Sequence, residues 1–498
     1  MMNRRHTTTL LLWLLLAIHL YAAPADSTLM ERGSLWKTIG QTAWQNPALH
    51  GKAFKSSLTQ LYVVADWQKQ SEAFVQEKGK GFLLPAAHAD TYLRLSEHAT
   101  VWGHASYLNG KHYDICWNST SDYDLLQPHI LADSVGGDTD FERYVFEGGY
   151  ATQLKQWLLG AEMLFRADHE YRDIDPRMRG IVNELTIRLG AGREAMGYHW
   201  AAALEGNVYK QSNSVDFYRE LGVSPEYQMT GLGTEYARFS GDKRRLHYEG
   251  GGARLLLDAV PVGERGLYAH LDLNEHRYHR QIIENYTLPL TDLYSQGLNA
   301  VVGWKKAAGS QMAVYATLDY EKRSGDERII GTSASSAFPE LGVLTMYRNK
   351  RLNTSLTALY GNGRWQAVGC AGYWNDNQEY FYPERKLNVS HLYGRLEGQL
   401  FWKPADRLLL TCGAEASYFA GAGDELVMPF ANMSAASAAK MSHQYEYAKA
   451  NYTSLSAQVR GDYQLKSIGL FAELGGGYTA CSVGEHQTDA HLVFGITF

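Results

Sequence analysis

Leu492-Val493-Phe494-Gly495-Ile496-Thr497-Phe498 reads as a β-strand with one apolar face. Leu492, Phe494, Ile496 and Phe498 fall on one side and Val493, Gly495 and Thr497 on the other, the period of two that a strand imposes. An aromatic residue ending such a strand suits the closing strand of a bacterial outer-membrane barrel, whose aromatic rings sit at the membrane interface. The same alternation recurs upstream. Leu267, Ala269, Leu271 and Leu273 oppose Tyr268, His270, Asp272, Asn274 and His276. Trp157, Leu159, Ala161, Met163 and Phe165 oppose Glu162 and Arg166, and Leu185, Ile187 and Leu189 oppose Glu184 and Arg188.

A soluble β-sandwich also alternates, so the lengths of the connections have to separate the two. Tight turns are expected near 463–467, 403–406, 361–363, 308–310, 261–265 and 190–194. Mostly longer connections come between them, at 421–444, 324–343, 280–294, 172–178 and 119–140. Short turns at one rim and long loops at the other is the layout of an outer-membrane barrel. Residues 227–239 break the rotation, because Gly231, Gly233 and Glu235 would share a face with Tyr227 and Met229. Treating 211–244 as one excursion, folded toward the lumen, leaves about 18 strands, with 14 or 16 as the other even counts. The expected fold is therefore all-β: a transmembrane antiparallel barrel over 58–498, with short periplasmic turns and long extracellular loops.

Composition and the beginning of the chain agree with an exported barrel. Tyr is frequent at 33 residues and Pro scarce at 12, which favours strands with aromatic girdles over helices. The net charge of −6, with no basic run, disfavours nucleic acid as a partner. Arg4 and Arg5, an apolar run over 10–20 and Tyr21-Ala22-Ala23-Pro24 describe a signal peptide over 1–22, too short to span as a helix. Residues 23–57 alternate little and are expected to form a periplasmic arm or a small hatch in the lumen. Within them Asn46-Pro47 reads as a turn. Cys116, Cys370, Cys412 and Cys481 are widely spaced and read as small wall residues rather than as a disulfide framework.

The inward face carries the candidate site. Glu162, Arg166, Glu184, Arg188, Glu205, Arg254, Asp272, Glu397, Glu415, Arg460, Asp462 and Glu473 all fall on it. Charges of both signs inside a closed wall must be wetted or paired. They imply either a water-filled passage or a lumen filled by a salt-bridged network and the inserted excursion. The carboxylates of Asp122-Tyr123-Asp124 and Asp133 to Asp140 lack the spacing of a calcium loop, so no metal or cofactor is inferred. The small-residue run 431–439 reads as a mobile loop. His104-Ala105-Ser106 puts an imidazole and a hydroxyl on one side of a strand, as in barrels that hydrolyse lipid. No carboxylate partner can be assigned to it, and the chain is not read as an enzyme.

Trp44-Gln45-Asn46-Pro47-Ala48, Trp102-Gly103-His104-Ala105-Ser106-Tyr107-Leu108-Asn109-Gly110 and Ala132-Asp133-Ser134-Val135-Gly136-Gly137-Asp138 resemble an uncharacterised outer-membrane barrel family of Bacteroidota. Gly148-Gly149-Tyr150 and Gly231-Leu232-Gly233 belong to the same resemblance, which implies a location and a fold but no chemistry. Asn46-Pro47-Ala48 is also similar to the N-terminal arm of long-chain fatty-acid transporter barrels, although the charged inward face departs from their greasy site. The expected partners are outer-membrane lipid and the barrel-assembly machinery, with a further outer-membrane or periplasmic protein left open. The expected role is uptake of a small solute. The alternative is a non-transporting barrel whose loops dock a partner.

Overall fold

The computed structural model describes residues 26–498, apart from 40, 219–225, 237–244, 284–286, 308, 333–337 and 467. The expected signal peptide over 1–22 lies outside the described residues. Eighteen strands form one sheet. They are β1 Leu58–Gln70, β2 Gly81–Arg94, β3 Ala99–Ile115, β4 Gly137–Leu154, β5 Trp157–Tyr171 and β6 Arg177–Ala195. Then come β7 Tyr198–Asp216, β8 Leu246–Pro261, β9 Arg265–Ile283, β10 Thr287–Lys306, β11 Gln311–Ile330 and β12 Glu340–Gly361. The last six are β13 Trp365–Tyr380, β14 Arg385–Ala405, β15 Leu408–Val427, β16 Tyr452–Gln464, β17 Gly469–Cys481 and β18 His486–Thr497. Each strand pairs antiparallel with the next. β18 returns to β1, with Phe494 opposite Val63 and Leu492 opposite Ala65, so the sheet closes and leaves no edge.

The exterior explains the alternation. Leu396 is 70% exposed and Leu204 65%, while their inward neighbours Glu397 and Glu205 are partly covered. Phe494 and Leu492 of the closing strand face outward in the same way, and Thr497 is buried inside. A closed wall whose outer residues are Leu, Val, Met and aromatics is a transmembrane barrel, since lipid is the solvent that such a surface suits. No helix among the described residues is long and apolar enough to cross a membrane. Replacing Leu204 with arginine is expected to lower barrel stability by about 2–4 kcal/mol, the cost of a cation near mid-bilayer. Urea unfolding in lipid vesicles measures this, and an unchanged midpoint would show that the face does not meet lipid.

The rims are unequal, as the rotation of turns implied. At one rim the connections 95–98, 155–156, 196–197, 262–264, 307–310, 362–364, 406–407 and 465–468 are all short. The other rim carries 71–80, 116–136, 217–245, 331–339 and 428–451. The expected loops 280–294 and 324–343 are much shorter than read, because β9 with β10 and β11 with β12 keep pairing past the membrane band. The expected turn at 190–194 is strand. Gly190 is not a turn glycine; a Cβ there would lie 2.5 Å from the Asn46 Oδ1, so the missing side chain is a notch for the arm. The turn sits at Met196-Gly197, where both residues have positive φ.

Two sets of segments fold into the barrel. At the short-turn rim, α1 Asp26–Gly33, α2 Leu35–Thr38, α3 Gln41–Trp44 and α4 Pro47–His50 lie across the opening. Leu29 packs on Phe401 and Leu409, Ile39 on Val301 and Leu359, and Leu49 on Leu158 and Val260. Asn46-Pro47, read as a turn, starts a helix: the Asn46 Oδ1 accepts from the Ala48 N at 3.1 Å and Pro47 takes the first turn, where no N–H is needed.

At the loop rim, α5 Tyr123–Leu126 and a small sheet occupy the lumen. That sheet joins Leu131–Asp133 to Glu226–Gly231, which in turn pairs with Thr234–Glu235. Residues 227–236 are thus an inward excursion and not a spanning strand. The excursion begins later than residue 211, since β7 runs to Asp216 and turns Tyr209 and Val215 into the luminal core. Residues 219–225 and 237–244 lie outside the described residues. The second half of the run 431–439, expected to be a mobile loop, is helical. α6 Ala435–Lys449 is capped by Ser434, whose Oγ accepts from the Ser437 N at 3.1 Å, and Met441 is fully buried against Tyr347 and Leu387. Alanine-rich sequence favours helix as much as loop, and the cap and the buried face decide between them.

Candidate functional site

Register builds the charged wall. Glu162 of β5 stands opposite Arg188 of β6, Arg188 opposite Glu205 of β7, and Glu205 opposite Arg254 of β8. Cross-strand neighbours on one face lie within reach of each other, so alternating signs on four successive strands form a ladder. Arg188 bonds to the Glu162 Oε1 at 2.6 Å and to the Glu205 Oε2 at 2.7 Å. Arg254 bonds to the Asp272 Oδ2 at 2.6 Å and stands 3.7 Å from Glu205. Nearer the loop rim, Arg166 meets three carboxylates: Asp122 at 2.7 and 2.9 Å, Asp168 at 2.7 Å and Glu184 at 2.9 Å. Seven of the twelve candidates therefore form two clusters on one flank.

The ladder clamps the inserted segments. The backbone oxygen of Gln45 accepts from Arg188 at 2.9 Å and its side-chain oxygen from Arg254 at 2.6 Å, which ties the arm to two cations. Asn46 donates to the Asp258 Oδ2 at 3.0 Å. Asp122, which precedes α5, ties the loop-side insert to Arg166 and accepts from the Tyr209 hydroxyl at 2.9 Å. Gln45, Asn46, Asp122 and Asp168 were not among the candidates. Asp168 lay on a readable inward face, whereas the other three sit in stretches without alternation. Farther into the insert, burial pushes the imidazole of His129 well below its ordinary range, and Arg280 adds to the effect. In the arm, burial likewise lowers His50, whose ring lies 4.4 Å from that of Trp102.

The opposite flank is different. Arg460 bonds to Asp462 at 2.9 Å, covers the Phe471 ring at 3.9 Å and stands 3.8 Å from Glu473, which meets His491 at 3.1 Å. Glu415 and Glu397 stand opposite each other on β15 and β14, two like charges at one register position. Arg395, two residues before Glu397 on the same inward face, offsets part of this repulsion, and solvent relieves the rest. Around them the inward side chains are small and wet: Ser456 and Gln458 are solvent-exposed although they face the lumen. Gly475 and Gly477 keep this wall thin, since a Cβ at either would overlap the His491 ring or the Asp489 carboxylate.

His104 and Ser106 also face the lumen here, away from lipid. The carboxylate that the sequence left unassigned is Asp90 on β2, 2.5 Å from the His104 Nδ1 and 2.8 Å from the Tyr62 hydroxyl. Ser106 stands across from His88, not from Asp90. The carboxylates of the long loop are engaged by the protein itself. The Asp133 Oδ1 accepts from the Val135 N at 3.1 Å and from the Gly136 N at 2.5 Å. Its Oδ2 takes the Ser119 hydroxyl at 2.7 Å and Arg172 at 3.1 Å. Among the described residues no group of three or more His, Cys, Asp or Glu side chains is arranged to hold a metal, and the four cysteines are unpaired.

Among solved structures, the chain is similar to the ferric preacinetobactin receptor BauA of Acinetobacter baumannii at 9% identity, covering 89% of this chain and 79% of that one with a TM-score of 0.40. It is likewise similar to the siderophore receptor PiuA of the same organism at 7% identity, covering 89% and 82% with a TM-score of 0.41. No curated protein matches the sequence. A family model does match, over residues 47–498, the whole barrel and the end of the arm. The chain belongs to that family, described as a family of unknown function (DUF6850).

Proposed function

We propose that this protein is an outer-membrane barrel for uptake of a small polar solute, held closed at rest by its N-terminal arm. The observation that carries the reading is the asymmetry of the lumen. One flank is filled and clamped by the charge ladder. The other keeps exposed Ser456 and Gln458 beside the like-charged Glu397 and Glu415. A barrel serving only as a scaffold gains stability by filling its interior, whereas a wetted polar flank gives a solute a route with hydrogen-bond partners. The short-turn rim then faces the periplasm and the long loops face the exterior.

In this reading the arm is the stopper. Its contacts are numerous but non-covalent: besides the clamps on Gln45, the Gln399 Nε2 donates to the Gly33 oxygen at 2.6 Å and Lys403 pairs with Asp26 at 2.6 Å. In planar bilayers the full chain should be nearly silent, and a variant lacking residues 26–57 should conduct. Heat-modifiable migration on gels shows that the variant is folded. A folded, persistently silent variant would overturn the uptake reading and favour a barrel that docks a partner through its loops.

A further inference from the structure

At the loop end of the wetted flank lies a cavity of about 390 Å³ that the charge ladder does not reach. The strap 71–80, α5, α6, the inward faces of β12, β13 and β14, and the start of β16 enclose it. Its size falls in the range of about 300–1,000 Å³ usual for small-ligand pockets. From this cavity we infer a saccharide-binding site. This deepens the uptake reading and rests on it for the direction of transport.

Aromatic faces and balanced polar groups carry the inference. Trp374, Tyr123, Phe74, Tyr447 and Tyr452 contribute rings to the lining, with Phe74 stacked on Tyr447 at 5.5 Å. Ring faces carry partial negative charge and attract the weakly positive C–H bonds of a pyranose face. Charges in the lining cancel in pairs. Lys440 meets Glu77 at 2.8 Å, Lys78 meets Asp124 at 2.7 Å and Arg351 stands 3.5 Å from Asp376. A cavity without net charge gives an ionic solute little to compensate its lost hydration. A neutral polyol instead needs fixed donors and acceptors at its rim.

The structure keeps one such acceptor in reserve. Asp376 is 8% exposed; its Oδ2 accepts from Gln378 at 2.9 Å, while its buried Oδ1 faces the Arg351 Nε at 3.5 Å and makes no hydrogen bond. A buried carboxylate oxygen left short of a donor is costly unless a ligand hydroxyl completes it. The strap and α6 are themselves fixed, since the Lys440–Glu77 pair is almost fully buried between them, so the site is formed before a ligand arrives.

Isothermal titration of the full-length protein in detergent with glucose, maltose and cellobiose tests the site, with putrescine and glutamate as charged controls. Saturable heat is expected for at least one saccharide and for neither control. Trp374→Ala and the nearly isosteric Asp376→Asn should each weaken binding at least tenfold, while Glu264→Gln at the opposite rim leaves it unchanged. No saturable heat from any of the three saccharides, a control that binds more tightly than they do, or binding indifferent to both variants would overturn the site. An arm-deleted barrel that conducts while the full chain binds no saccharide defeats this inference alone. Saccharide binding with a silent arm-deleted barrel defeats the uptake reading and keeps the site as a receptor.

Discussion

Replacing Arg188 with methionine should destabilise the barrel by about 3 kcal/mol and unseat the arm. Arg188 is held by Glu162, Glu205 and the backbone of Gln45 at once. Its removal leaves two carboxylates, with side chains 9% and 11% exposed, on either side of an uncharged residue. Breaking a buried ion pair from one side costs about 3–5 kcal/mol, and the 16% exposure of the Arg188 side chain places the effect at the low end. The urea midpoint in vesicles should fall, and the full-length variant should show bursts of conductance that the parent lacks. Adding Glu162→Gln and Glu205→Gln should restore much of the stability, because the cost lies in the stranded charges and not in the lost side chain. If Arg188→Met alone were as stable and as silent as the parent, the ladder would not be what seats the arm.

Asp133→Ala should be equally damaging at the other end of the lumen. Its carboxylate organises the 116–136 insert through two backbone N–H groups, the Ser119 hydroxyl and Arg172, and both Asp133 and Arg172 are buried. Without it the guanidinium of Arg172 keeps only the Pro176 oxygen, at 3.1 Å. A loss of about 3–5 kcal/mol is expected for a buried cation stripped of its anion. Differential scanning calorimetry measures it, and added calcium should leave the shift untouched, because this carboxylate serves its own loop. Recovery of the parent Tm on adding calcium would instead make the loop a metal site.

Sequence alone settled the wall. Period two requires no partner to be known, because side chains alternate across any strand, and a barrel with lipid outside and water inside marks every strand in the same way. Leu492, Phe494 and Ile496 were readable as the outer face of the closing strand for that reason. So were seven charged residues that ended in two clusters on one flank. Unequal connection lengths made the two rims legible, since turn chemistry is local.

Tertiary structure decided what fills the lumen. Nothing local distinguishes Gly190 as a notch for Asn46 from Gly190 as a turn, because the difference is an arm more than a hundred residues away. Residues 435–439 of the run became helix only once Met441 had a place to be buried. Asp122 and Gln45 gain their partners through closure of the ring, which brings distant strands to one level and the inserts against them. Alternation fixes which way each inward residue points. Whether it then meets a counter-charge, a helix or water depends on the closed barrel, and that contrast separates the clamped flank of Glu162 and Arg188 from the wetted flank of Glu397 and Glu415.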